Sequence, residues 1–139
     1  MNEVKFEVRH ELPPEWIYKK CVKRFGADFW KGTNFAYGNI IYGPIDPKPD
    51  IMLHECVHLS QQAKFKSPDD WWKKYFSDSA FRLEQEKEAY SAQWKKAKEI
   101  YPRQYRRLVK AHIIKSLSGK LYGNLITKKE AEQFLNDVV

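Results

Sequence analysis

The sequence predicts an α+β fold in which a small mixed sheet lies beside several helices. Three observations carry this. Segments that alternate with the two-residue period of a strand are short and fall before residue 43. Beyond residue 47, apolar residues recur at the three- and four-residue spacing of helices, over stretches too long for strands. The 139 residues are 42% hydrophobic and 15% aromatic, enough for one domain, 1–139, with a real core. No internal repeat, low-complexity segment or linker interrupts it.

Taken in order, Val4-Lys5-Phe6-Glu7-Val8 alternates as a strand. Pro13-Pro14 opens a helix carrying Trp16, Ile17, Cys21 and Phe25, which Gly26 ends. Phe29-Trp30 and then Phe35 to Tyr42 predict two or three short strands, separated by Gly32 and Gly38-Asn39. The next helix runs from about Pro47 to Lys64. Its prolines are tolerated in or before a first turn, and Asp46 or Asp50 serves its N-terminus. Ser67-Pro68-Asp69-Asp70 starts a short helix whose Trp71, Trp72, Tyr75 and Phe76 read as core. Helices follow over about 79–100, broken by Pro102, then 103–117 and 128–137. Thr127 and Glu130 form a capping box for the last, and Gly119 to Asn124 is a loop.

The helix over 47–64 contains His54-Glu55-Cys56-Val57-His58, an HExxH pattern. Residues four apart stack on one helix face, so both imidazoles point the same way and can hold one Zn²⁺. Glu55 lies one step round the helix, where a carboxylate can take a proton from water on the ion. At 100° per residue, His54, Glu55, His58, Gln61 and Gln62 share one sector. Met52, Leu53, Cys56, Val57, Leu59 and Ala63 fill the other, so the helix is expected to pack by the apolar sector and present the motif. Core histidines satisfied by hydrogen bonds would lie on the apolar side instead.

An open zinc site needs a third protein ligand. His10 and His112 are the other histidines, and neither falls in a short follow-on to the motif. The helix over 79–100 offers Glu84, Glu86 and Glu88. Glu86 falls within its apolar stripe of Leu83, Tyr90, Trp94, Ala97 and Tyr101, whereas Glu84 and Glu88 fall on the polar side. A buried carboxylate must be paired or bind metal, so Glu86 is the expected third ligand, with a salt bridge to Arg or Lys as the alternative. Ala89 leaves room for another helix to approach.

An HExxH helix followed by a helix with Glu86-Lys87-Glu88-Ala89 resembles the gluzincin branch of zinc metallopeptidases. It is similar to their small members, the ImmA/IrrE-like proteins and minimal phage or bacterial HExxH domains. The likeness spans about residues 33–97 and implies a zincin-like fold with the motif on a central helix. It also implies His54, His58 and Glu86 as ligands and Glu55 as base. In such folds an edge strand precedes the motif helix and pairs with an extended peptide. The resemblance places it at Asn39, Ile40, Ile41 and Tyr42. One departure is Tyr90, where many members carry Asp or Asn as a partner to the ligand glutamate. A phenol donates a hydrogen bond but brings no charge.

His112 reads as lying on the apolar side of its helix with Tyr105, Leu108 and Val109. It is either a buried, hydrogen-bonded histidine or a group that stabilises an oxyanion in the cleft, a role for which Tyr90, Tyr101 and Tyr122 also compete. Net charge is +7, and Arg103, Arg106, Arg107 and Lys110 gather on one helix. A solvated face is favoured there over a nucleic-acid patch, because no readout motif accompanies it. Cys21 and Cys56 make no disulfide framework. No signal peptide and no apolar run long enough to span a membrane are visible, which points to the cytoplasm of a cell or of a virus-infected host. The expected activity is zinc-dependent hydrolysis of a peptide or protein substrate. Two other classes fit the same residues: an inert zinc-holding structural or regulatory module, such as a phage or virion component, and a basic nucleic-acid-associated protein.

Overall fold

The structure is a computed structural model that describes residues 5–139, with the side chains of Phe29 and Leu121 left out. Its order is β1 (Glu7–Arg9), α1 (Glu15–Phe25), a 3-10 turn (Ala27–Gly32), β2 (Phe35–Tyr37), β3 (Ile40–Tyr42), α2 (Pro49–Gln62) and α3 (Pro68–Ser77). There follow α4 (Ser79–Ile100), α5 (Arg103–Leu117), a second 3-10 turn (Lys120–Tyr122) and α6 (Lys128–Asn136). This is a mixed α+β arrangement, mostly helical. No helix among the described residues is long and apolar enough to cross a membrane.

Local chemistry sets the helix ends. Pro49 sits at the start of α2, where its missing N–H costs nothing. Ser67 accepts a bond from the Asp70 N–H at α3, and Asp78 accepts one from the Phe81 N–H at α4. Both bonds of the Thr127/Glu130 capping box form, at 3.1 and 3.0 Å. At α2 it is Asp50 that serves the N-terminus, from within the first turn and not as a cap. The N-cap itself is Lys48, with no side-chain bond. Asp46 instead pairs with His10 at 2.7 Å, while Asp50 is buried in the first turn and accepts from Gln93 and Tyr101 at 3.0 and 2.5 Å.

The sheet is three residues wide in each strand, with order β1-β3-β2. β1 runs parallel to β3 and β2 antiparallel to it, joined through Gly38, whose φ of 66° suits a tight hairpin turn. Two expectations change here. The first strand covers Glu7–Arg9 rather than reaching back through Phe6, because β3 offers only Ile40–Tyr42 to pair with; Val4 lies outside the described residues. Phe29-Trp30 is part of a 3-10 turn, Ala27–Gly32, not a strand.

Asn39, Ile40, Ile41 and Tyr42 differ from expectation. They are not an edge. β3 is the central strand, with β1 on one side and β2 on the other, so its ladder groups are taken. The β2 side is closed off as well: the Ala36 carbonyl accepts from Gln62 and Trp72, and the Gly38 N–H donates to Gln62.

Among the described residues the core lies in three clusters. One joins α4, α5 and α6 through Leu83, Trp94, Val109, Ile113, Leu117 and Leu135. A second joins α1, α3 and the sheet through Ile17, Cys21, Phe35, Trp71, Trp72 and Phe76. A small third, of Ala36, Ile41 and Leu59, seats α2 on the sheet. The tryptophan pair is core, as read from the sequence, and Cys21 and Cys56 are free.

The packing face of α2 is the reverse of the expected one. Its buried residues are Asp50, His54, Glu55, His58, Leu59, Gln61 and Gln62. Leu53 is 39% exposed, Ala63 is exposed, and Met52, Cys56 and Val57 are only half-buried. The polar sector packs inward against α4 and β2 because partners for its polar groups wait there. Those partners are Glu86, Gln85 and Gln93 of α4, and Ala36 and Gly38 of the sheet turn.

Candidate metal centre

Helix spacing places His54 above His58 on α2, and α4 crosses beneath them carrying Glu86 on its buried stripe. His58 Nε2 lies 2.7 Å from Glu86 Oε1, His54 Nε2 lies 3.1 Å from the same oxygen, and the two Nε2 atoms are 3.2 Å apart. These three side chains form a group able to hold a metal ion, and all three are buried.

The fit to an ion can be tested on this geometry. Donors about 2.0–2.1 Å from a tetrahedral ion lie about 3.3 Å apart. Two of the separations, 3.1 and 3.2 Å, are near that value, and the third, 2.7 Å, is a hydrogen-bond length. The donor set is two imidazoles and one carboxylate, a set that suits zinc with a position left open. His58 is also oriented for it. Its Nδ1 donates to Gln61 Oε1 at 2.8 Å, which leaves the Nε2 lone pair for a metal. Gln61 is held in turn by the Gln85 carbonyl and by Glu88, at 3.0 and 3.1 Å. His54 has no such partner among the described residues: its Nδ1 is buried and unbonded. Ring contacts with Tyr90 and His58, at 4.5 and 4.8 Å between centroids, hold it instead.

Glu55 stands beside the group without joining it. Its Oε1 is 4.0 Å from His54 Nε2. Burial pushes its carboxyl up, against the pull of the His54 and His58 charges. For Glu86, burial also acts upward, but His58 and the bonds from both imidazoles hold it well below the ordinary carboxylate range. Burial would depress His58, yet the charge and hydrogen bond of Glu86 outweigh it and push the imidazole up to about 9.

This has a measurable consequence. In the metal-free chain His58 keeps a proton that a metal must displace. If the group takes zinc, its apparent affinity is therefore expected to rise about tenfold per pH unit between neutral pH and pH 9. A chelator competition at pH 7 and pH 8 checks this, and equal affinities would refute it. Stability without metal runs the other way. The His58 pKa lies above its ordinary 6.5, so its stabilisation is complete below that value and fades as pH rises through about 9.

A cavity of about 350 Å³ opens onto the group. His54, Glu55, His58 and Glu86 line it on the polar side, and Phe25, Phe35, Trp71 and Trp72 give it apolar walls. His112 also lines it, but as an exposed residue rather than one on a buried face; Leu108, one turn before it, is 67% exposed. The reason is that α5 packs through Val109, Ile113 and Leu117. Tyr90 is buried against the His54 ring, with centroids 4.5 Å apart. Tyr101 is spent on Asp50, and Tyr122 donates to Glu86. Asn39, Ile40, Ile41 and Tyr42 do not line the cavity; the stretch Gly32–Phe35 does.

Three partners escaped the sequence reading. Gln61 was legible in principle, because it follows His58 by three residues on the same face. Tyr75 and Tyr122, whose hydroxyls donate to Glu86 Oε2 at 2.6 and 2.9 Å, come from other elements and leave no local trace. Of the basic residues on α5, Lys110 donates to Asn136 at 2.9 Å, and Arg103 and Arg107 are exposed.

Comparison with protein-family models, with curated proteins and with solved structures finds no match to this chain.

Proposed function

We propose that this chain is a zinc-dependent metallopeptidase of zincin-like fold and gluzincin type. The observation that carries the reading is the convergence of His54 Nε2, His58 Nε2 and Glu86 Oε1 to within 3.2 Å of one another, on a cavity that Glu55 also lines. His54, His58 and Glu86 would hold the ion. When bound, zinc would supply Lewis acidity toward a carbonyl and toward water. Glu55 takes the proton from the attacking water and returns it to the leaving amine, and its burial, which favours the protonated carboxyl, supports that return. His112 lines the cavity and would steady negative charge on the substrate oxygen, since the hydroxyls of Tyr101 and Tyr122 are held by Asp50 and Glu86. The stretch through Thr33 and Asn34, with Thr33 in extended conformation, takes over from β3 as the segment to hold an extended peptide.

A second reading has its own support. The four polar groups are each 7% exposed or less, and the sheet strand expected to bind substrate is enclosed. That favours an ion-holding module without turnover. Zinc reconstitution followed by elemental analysis and mass-spectrometric screening of a peptide library separates the two. Bound zinc with cleavage products supports the enzyme. Bound zinc without products favours the module, and absence of zinc from the reconstituted chain refutes both.

A further inference from the structure

Glu86 faces two environments with its two oxygens. Oε1 meets the imidazoles, 2.7 Å from His58 Nε2 and 3.1 Å from His54 Nε2. Oε2 meets two phenols, with the Tyr75 hydroxyl donating at 2.6 Å and the Tyr122 hydroxyl at 2.9 Å. Two carboxylate oxygens offer about four acceptor sites in all, so two donors fill Oε2. The donors come from α3 and from the 3-10 turn after α5, and Glu86 from α4. Hydrophobic packing alone gives no reason for hydroxyls from two separate elements to meet on one oxygen.

Both donors are fixed where they stand. Tyr75 is 8% exposed and stacks on Trp71, with centroids 4.9 Å apart and planes 26° from parallel. Tyr122 is 2% exposed and precedes Gly123, whose φ of 80° belongs to the left-handed region. A Cβ at Gly123 would lie 2.9 Å from Ser79 Cβ, so the turn sits tight against the start of α4.

We infer that Tyr75 and Tyr122 are positioning residues that restrict Glu86 to one-oxygen coordination. They occupy Oε2, reserve Oε1 for the ion and keep a coordination position open for water or substrate. Three single-atom protein donors and one water or substrate oxygen make a four-coordinate ion, and a glutamate chelating through both oxygens would crowd it to five. The inference rests on the metal reading above and concerns a different question, how many positions the protein itself fills.

Cobalt(II) in place of zinc reports this directly, because its visible d–d absorption is strong in four-coordinate sites and weakens as a ligand is added. Wild-type chain loaded with cobalt is expected to show the strong bands. The double variant Tyr75→Phe/Tyr122→Phe is expected to lose intensity several-fold, as the freed Oε2 joins the ion. Each single variant, which keeps one donor, should lose part of it. Tyr101→Phe is the control: it removes a phenol bonded to Asp50 instead, and should leave the spectrum unchanged. If the double variant does not fold, the two single variants decide. Variants that bind cobalt with the wild-type spectrum overturn the inference and leave the metal reading standing. A folded wild-type chain that takes up no cobalt overturns the metal reading, and this inference with it.

Discussion

Glu55→Gln is expected to lose peptide cleavage by about 10²–10⁴-fold in turnover while the zinc stays bound, the ordinary size of a general-base contribution. The expectation follows from where Glu55 stands. It lines the same cavity as His54, His58 and Glu86, yet its nearest approach to the imidazole donors is 4.0 Å, to His54 Nε2. It is beside the group and not in it, so its removal takes away a proton acceptor and leaves the donor set whole. Glutamine keeps the shape of the side chain, and burial already disfavours the charged form of Glu55. The fold should therefore tolerate the change, which a thermal melt will check. Elemental analysis and turnover measured on one preparation test the claim. Retained cleavage in the variant would assign the activity to another site or to a contaminant. Loss of zinc in the variant would make Glu55 a ligand and refute the assignment.

His58→Ala is expected to abolish zinc binding and to cost the most stability of any change at the centre. His58 touches Glu86 at 2.7 Å and Gln61 at 2.8 Å, both in buried surroundings. Removing it takes from the buried Glu86 carboxylate the nearer of its two imidazole partners, whose charge helps hold its pKa low. Breaking a buried pair from one side costs about 3–5 kcal/mol. The loss of zinc takes away a further stabilisation, about 4 kcal/mol at a zinc concentration a thousandfold above Kd. Glu86→Gln should also weaken zinc binding and lower Tm, since it removes the one oxygen that both imidazoles share. Glu84→Gln should do little, because Glu84 is exposed and pairs with Lys87 on the surface. Glu88→Gln should do little as well, since Glu88 reaches His58 only through Gln61. Denaturant melts with and without zinc, beside zinc titrations, check the series. Release of metal by Glu88→Gln alone would mean that the wrong glutamate has been assigned.

Much of the local structure is legible in the chain. Helix starts at Ser67, Asp78 and Thr127 follow from side chains that bond to N–H groups three residues on. The stacking of His54 over His58 follows from a spacing of four, and Glu86 shares its helix stripe with Leu83, Tyr90, Trp94 and Ala97. The face of α2 was misread because an apolar sector is usually the buried one. That rule fails when the opposing surface already carries partners for polar groups, and α4 and the β2 turn carry them for Asp50, His58, Gln61 and Gln62. No periodicity in residues 47–64 contains this, because it is a property of the other surface.

What depends on neighbours a few residues apart is written in the chain: the helices, their caps, the shared face of His54 and His58, and the burial of Glu86. Tertiary structure alone decided the sheet order that encloses Asn39 to Tyr42, the exposure of His112 on the cavity, and the meeting of Tyr75 and Tyr122 on Glu86 Oε2. Helical spacing is dictated by bonds within one turn and so is written in the order of residues. Strand order and the pairing of side chains from separate elements depend on which surfaces meet. Tyr75 and Glu86 are 11 residues apart and Tyr122 and Glu86 are 36 apart, on different elements, and only the packed molecule brings them together.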